Sequence, residues 1–191
     1  MSGVENLIIV RGGGDLATGT IYKLHQCGFS VLVLETENPS AIRRNVAFSE
    51  AVYQGTQTVE GLSCTLASSV SEAEVLLKAG KLTMLVDPAG GSIGCFCPLA
   101  VVDAILAKKN LGTCRNMAPI TVALGPGFTA GVDVDAVVET KRGHNLGRGC
   151  RRHRLRLLLH RRLRLRSPPL SRTCRTMPHI KKSFSYLYIN H

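Results

Sequence analysis

The sequence predicts an α/β fold, a mostly parallel sheet with helices on both faces, followed by a basic non-globular tail. Short apolar runs such as "LIIV", "VLVL" and "LTMLV" recur, and glycine or an acid closes each of them soon after. Stretches with helical spacing of apolar residues lie between them. Strands that alternate with helices in this way form parallel sheets covered on both faces, which is why the strands read as continuous apolar runs. The third observation is a break in charge after Arg148, which divides residues 1–148 from residues 149–191.

In chain order, residues 7–10 are expected as a strand and residues 15–27 as a helix that stops at Gly28. Residues 30–35 form a second strand. A turn at Asn38-Pro39-Ser40 leads into a helix over residues 41–51. The Thr and Val content of residues 56–66 favours short strands. A capping box at Ser68 or Ser71 opens a helix over residues 71–79. Residues 82–86 are a strand ending on Asp87-Pro88, and a glycine-rich loop follows. Residues 99–102 are a strand, residues 104–109 a short helix or turn, and residues 120–124 a strand. A helix is expected from residue 132 to about residue 140.

The chain has 191 residues and a net charge of +11. Residues 1–148 hold 12 lysines and arginines against all 13 acids, and residues 149–191 hold 12 basic residues and no acid. The net charge therefore describes the tail and not the body, which weakens the case for a nucleic-acid-binding domain. No apolar run approaches the roughly 20 residues of a spanning helix. The N-terminus lacks the pattern of a signal peptide. The 7 cysteines are scattered and odd in number, which suits a reduced, cytoplasmic protein better than a disulfide framework.

Gly12, Gly14 and Ala17 fit G-x-G-x-x-A between a strand and a helix, with Gly13 inside the turn. The first glycine permits the turn, the second admits a pyrophosphate, and the small third residue lets helix and strand pack closely. The helix N-terminus offers free amides to an anion. Glu35 ends the second strand where an acid would hold a ribose hydroxyl. Together these mark a Rossmann-like nucleotide site; the competing reading is a bare strand-to-helix turn. Asp15 stands in the loop and would repel a phosphate unless it orients another group. Arg43 and Arg44 follow the second strand and could favour a phosphate-bearing ribose, or be a solvated helix face.

Gly125, Gly127 and Ala130 repeat the motif, with Pro126 removing one amide donor. Two such loops suggest two mononucleotide-type halves, one ligand held between two loops, or a common structural turn used twice. Asp15, Asp87 and Asp103 fall at strand ends and could share one rim. Lys108, Lys109, Asn110, Thr113 and His144 are further candidate contacts for a phosphate or carboxylate. Cys95 and Cys97 lack zinc-ribbon spacing and His25 stands alone, so no metal is expected. There is no Walker lysine and no Ser-His-Asp constellation.

The tail alternates arginine with leucine, and its arginines outnumber its lysines ten to two. It reads as an out-of-frame or misassigned end, expected to be disordered. Binding of nucleic acid or an anionic membrane are the alternatives.

The blocks "RGGGDLATGTIYKLHQCGF", "AIRRNVAFSEAVYQG", "VDAILAKKNLGT" and "LGPGFTAGVDVDAVVETKRGHNLGR" resemble the selenium-dependent molybdenum hydroxylase system protein family. The likeness runs from about residue 5 to residue 148, where family members continue with ordinary globular sequence. It implies an accessory role in maturing molybdenum hydroxylases such as xanthine dehydrogenase, with that enzyme as partner. It implies no catalytic residue. Combined with the glycine loops, it suggests NAD(P) or the pterin dinucleotide of a molybdenum cofactor as ligand. The rival functions are an NAD(P)-dependent oxidoreductase and, from the tail alone, a nucleic-acid-binding protein.

Overall fold

The structure, a computed structural model, describes residues 3–140 and the backbone of residues 149–151. His144 and the tail beyond residue 151 lie outside the described residues. The strands are β1 (Leu7–Arg11), β2 (Ser30–Glu35), β3 (Thr56–Val59), β4 (Leu62–Ala67), β5 (Leu82–Val86), β6 (Ala100–Asp103), β7 (Thr121–Leu124), β8 (Ala136–Val138) and β9 (Gly149–Arg151). They form one sheet in the order β3-β4-β5-β2-β1-β6-β7-β8-β9. The run from β4 to β8 is parallel, and only β3 and β9 pair antiparallel at the two edges. The sheet is thus α/β and mostly parallel, and β9 adds the first residues after the charge break to its edge.

The helices are α1 (Asp15–Gln26), α2 (Ala51–Gln54), α3 (Val70–Lys78) and α4 (Ile93–Phe96). Alternate strand residues feed two cores. Ile8, Val10, Val31, Val33 and Met84 pack with Ala17, Ile21 and Leu24 of α1 and with Phe48 and Ala51. Leu7, Ile9, Leu32, Leu34 and Leu85 pack on the other face with Ala73 and Leu77 of α3 and Ile93 and Phe96 of α4. The two faces follow from one handedness of crossover. Connections that step toward β4 (β1 to β2, β2 to β4) lie on the α1 face, and those that step back (β4 to β5, β5 to β6) lie on the other.

Local chemistry sets most boundaries. Gly28 ends α1 at φ +84, with the Phe29 amide donating to the Leu24 carbonyl, a left-handed C-terminal cap. Glu60 and Gly61 both have positive φ and close the two-residue β3–β4 hairpin, as primed turns require. The cap of α3 is Ser69, between the two expected serines, and its side chain accepts from the Glu72 amide. The Glu72 carboxylate reaches back to the amide and hydroxyl of Ser68.

Three expected elements differ. The helix over residues 41–51 is replaced by two single 3-10 turns, Arg44–Val46 and Phe48–Glu50, with the short α2 after them. Docking decides this: the Phe48 amide donates to Thr18 Oγ1 and the Ser49 amide to the Gly13 carbonyl, which hold an extended break at Ala47. Residues 104–109 form no regular element. The helix over residues 132–140 is absent, and strand β8 takes its place. Val132, Val134, Val137 and Val138 are β-branched and favour extended backbone. Asp133 closes a tight turn by accepting from the Thr129 amide, and Ala130 bridges to Val134.

At Gly12, where φ is +95, an added Cβ would stand 2.9 Å from the Ala104 carbonyl oxygen. The loops after β1 and β6 therefore meet backbone to backbone. Gly12→Ala is expected to destabilise the protein by about 2 kcal/mol or more through strain and clash, read as a lowered urea midpoint. Gly14→Ala, facing open space at φ −63, is expected to fall within about 1 kcal/mol of the parent.

Candidate functional site at the carboxyl edge of the sheet

The carboxyl ends of the central strands carry most of the candidate residues, as in other open parallel sheets. Gly12 continues the β1–β2 ladder, its amide donating to the Leu34 carbonyl at 2.7 Å. Gly13 is enclosed. Its amide donates to Glu35 Oε2 at 2.5 Å, and an added Cβ would meet Met84 at 2.9 Å and the Ser49 amide at 3.1 Å. The other Glu35 oxygen accepts from the Thr36 amide at 2.9 Å. Thr18, which the sequence reading passed over, accepts from the Phe48 amide and donates to the Gly14 carbonyl. Ala17 is fully buried under the loop, as the motif requires.

Gly14 and Asp15 differ from their neighbours. Gly14 is the N-cap of α1 and brings no side chain to it. The amides of Gly14 and Asp15 have no acceptor among the described residues. With the positive end of the α1 dipole behind them, they are the open donors of this loop. Asp15 does not stand there as a bare charge: Arg43 Nε donates to its Oδ2 at 2.8 Å. The pair removes much of the repulsion that an isolated carboxylate would exert on a phosphate.

Arg44 is committed elsewhere. Its Nε and one terminal nitrogen grip Glu50 at 2.6 and 2.8 Å, Gln54 adds a further donor, and the guanidinium lies 4.9 Å from the Tyr53 ring centre. The hydrogen bond from Arg44 holds the Glu50 carboxyl below its ordinary range against the opposing effect of desolvation.

A second group lies one strand over. Arg11 ends β1 beside Asp103 of β6, its register partner, and both are 1% exposed. The Thr113 hydroxyl joins them, accepting from Arg11 and donating to Asp103. Arg11 also donates to the Pro88 and Leu111 carbonyls. Asn110 fixes Thr113 by accepting from its amide and donating to its carbonyl. Asp103, Asn110 and Thr113 are thus brought together, around an arginine that sequence reasoning missed. An arginine closing the apolar run "LIIVR" was the available signal, because a buried charge needs a built partner.

Asp87 turns into its own loop. Its Oδ1 accepts from the Gly90 and Gly91 amides, and its Oδ2 from the amide and hydroxyl of Ser92. Partial burial pushes this carboxyl up, but the four donors together outweigh it and hold it below its ordinary range. Asp15, Asp87 and Asp103 share an edge, yet each is engaged with a different partner set.

The second glycine loop has another architecture. It follows β7, two strand spacings or about 10 Å from β1. Gly127 packs on the Lys109 backbone, where an added Cβ would lie at 2.9 Å, and Gly125 packs on Leu106 and Thr140. With strand β8 and no helix after it, the loop lacks the helix dipole of a phosphate turn, so the picture of two equivalent halves does not hold. Lys108 and Lys109 are exposed, and His25 is half-buried. Cys95 and Cys97 are exposed thiols, while burial pushes the Cys64 thiol up to about 12. Among the described residues no group of three or more His, Cys, Asp or Glu is placed to hold a metal, and no helix is long and apolar enough to cross a membrane.

The chain is similar to an uncharacterized protein of Escherichia coli (strain K12), YqeB, at 53% identity over 143 residues. The match takes in 75% of this chain and 26% of that relative, so the chain spans about a quarter of the relative's length. No family model and no solved structure matches it.

Thr113→Val keeps the shape but leaves Arg11 and Asp103 each one partner short. A loss of about 3 kcal/mol is expected in urea denaturation, with Thr113→Ser close to the parent. For Asp87, a depressed carboxyl stabilises the fold above its unfolded value, near pH 4, and that contribution disappears as pH falls through the folded value. Asp87→Asn should therefore lower the urea midpoint at pH 7, with the gap to the parent narrowing as pH falls below about 4.

Proposed function

We propose that the chain is the nucleotide-binding, Rossmann-like part of a cytoplasmic accessory protein that serves the maturation of a selenium-dependent molybdenum hydroxylase. The observation that carries the binding half is the Glu35 carboxylate seated on the Gly13 amide beside the open Gly14 and Asp15 amides. This pairs a hydroxyl acceptor with an anion site, the two features that a ribose and its diphosphate call for. The ligand is a dinucleotide, either a nicotinamide cofactor or the pterin dinucleotide of a molybdenum cofactor. The four sequence blocks supply the accessory role, and xanthine dehydrogenase-like enzymes are the partner class. Lys108 and Arg43 are both exposed, and would meet the outer part of a ligand.

A nicotinamide-dependent oxidoreductase is the second reading, motivated by Gly12, Gly14, Ala17 and Glu35. Nucleic-acid binding would rest on the basic tail.

Deletion of the gene should abolish molybdenum hydroxylase activity in the host while the hydroxylase polypeptide persists at its normal level. Unchanged activity would remove the accessory role. Steady nicotinamide turnover by the purified chain would favour the oxidoreductase instead.

A further inference from the structure

We propose that β3 is a docking edge for a second copy of this chain, which pairs with it antiparallel about Gln57 and joins two sheets into one.

Strand β3 is the outer strand at its end of the described sheet. Its pairing with β4 shows which backbone groups face outward. The Leu66 amide donates to the Gly55 carbonyl at 2.8 Å, and the register runs on from Thr56 opposite Thr65 to Val59 opposite Leu62. Hydrogen-bonded positions alternate along an antiparallel ladder, so Gly55, Gln57 and Val59 bond inward to β4. Thr56 and Thr58 therefore turn their amides and carbonyls away from the sheet. Both residues are exposed, and neither backbone has a hydrogen-bond partner beyond the ladder among the described residues. Edges of monomeric sheets are guarded by lysine, proline, bulges or a covering loop. From Gly55 to Val59 this edge reads "GTQTV", with no charge and no proline.

Such an edge is complementary to itself. With a two-fold axis at Gln57, Thr56 of each copy lies opposite Thr58 of the other, and each pair exchanges its amide-to-carbonyl bonds in both directions. Threonines opposite each other across a ladder are a favourable pair. Any shift of this register leaves an outward group of the strand unmatched.

A strand of 4 residues holds two sheets together only marginally, and an apolar flank supplies the rest. Val59 packs into the core on the α1 face, so Gln57, two residues earlier, points to the same face. Gln57 Nε2 donates to the Arg44 and Asn45 carbonyls, which ties the 3-10 turn Arg44–Val46 to the edge. Around that turn Ile42, Val46 and Tyr53 are 98%, 47% and 48% exposed. The two-fold axis runs perpendicular to the joined sheet and keeps the α1 faces of both copies on one side. The two apolar flanks then meet beside the axis and are covered together.

The test is analytical ultracentrifugation of the full chain over a range of concentrations, with two variants. Thr56→Lys combined with Thr58→Lys sets lysines opposite each other across the axis, while within one copy they face only Thr65 and Ser63. Thr56→Glu combined with Thr58→Glu does the same with acids. The parent should be dimeric, each variant should raise the dimer dissociation constant by at least about tenfold, and an equimolar mixture of the two should recover the parent's dimer. Circular dichroism spectra like the parent's establish that the variants fold. In the parent itself, the Thr56 and Thr58 amides should exchange hydrogen more slowly as protein concentration rises. A monomeric parent overturns the proposal, and slow exchange at Thr56 and Thr58 in that monomer would assign the edge to another segment of the same chain. A dimer that both variants leave intact overturns it, as does a dimer whose Thr56 and Thr58 amides exchange as fast as in the monomer. Folded variants that do not associate on mixing overturn it as well.

Discussion

The contact between the Glu35 carboxylate and the Gly13 amide organises the upper edge of this molecule. It ties the turn after β1 to the end of β2, and so fixes where α1 begins. From that start, Ala17, Ile21 and Leu24 fall onto one face of the sheet. The same turn presents the Gly13 carbonyl to Ser49 and places Thr18 under Phe48, which seats the whole segment from Arg44 to Gln54. A small set of backbone hydrogen bonds around three glycines thereby positions two strands, a helix and the arginine-bearing loop.

Charge at this edge is handled by pairing within the chain. Asp15 is matched by Arg43, Glu50 by Arg44, and Asp103 by Arg11 through Thr113. Asp87 is matched by amides and a hydroxyl. Each arrangement offsets the desolvation of its group, so the edge is closer to neutral than its count of acids suggests. At the first glycine turn, two amides at the start of α1 and the spare lone pairs of Glu35 stay open among the described residues.

Strands β1, β2, β5, β6 and β7 were legible because parallel strands buried on both faces leave apolar runs, whereas β8 was expected as a helix. The start of α1 was legible from its glycines, and the place of Glu35 from its distance along the chain. The second glycine motif misled as to the helix expected after it, for a physical reason. Its glycines serve close approach, to Lys109, Leu106 and Thr140, and the valines after it prefer extended backbone. Sequence spacing cannot separate a glycine that admits a ligand from one that admits another loop. The partners of Arg11 were hidden for a related reason, since its three supports come from residues 88, 111 and 113, far from it in the chain. The breakdown of the helix expected over residues 41–51 likewise arises from tertiary docking that overrides helix propensity.

The central claim is that the first glycine turn, and not the second, is the ligand-bearing one. Amide NMR of the isotope-labelled chain titrated with ADP-ribose tests it most directly. The account predicts shifts concentrated at Gly13, Gly14, Asp15 and Thr36, with Gly125, Gly127 and Gly131 unmoved. Shifts confined to Gly125–Gly131, or none at either turn at saturating nucleotide, would contradict it.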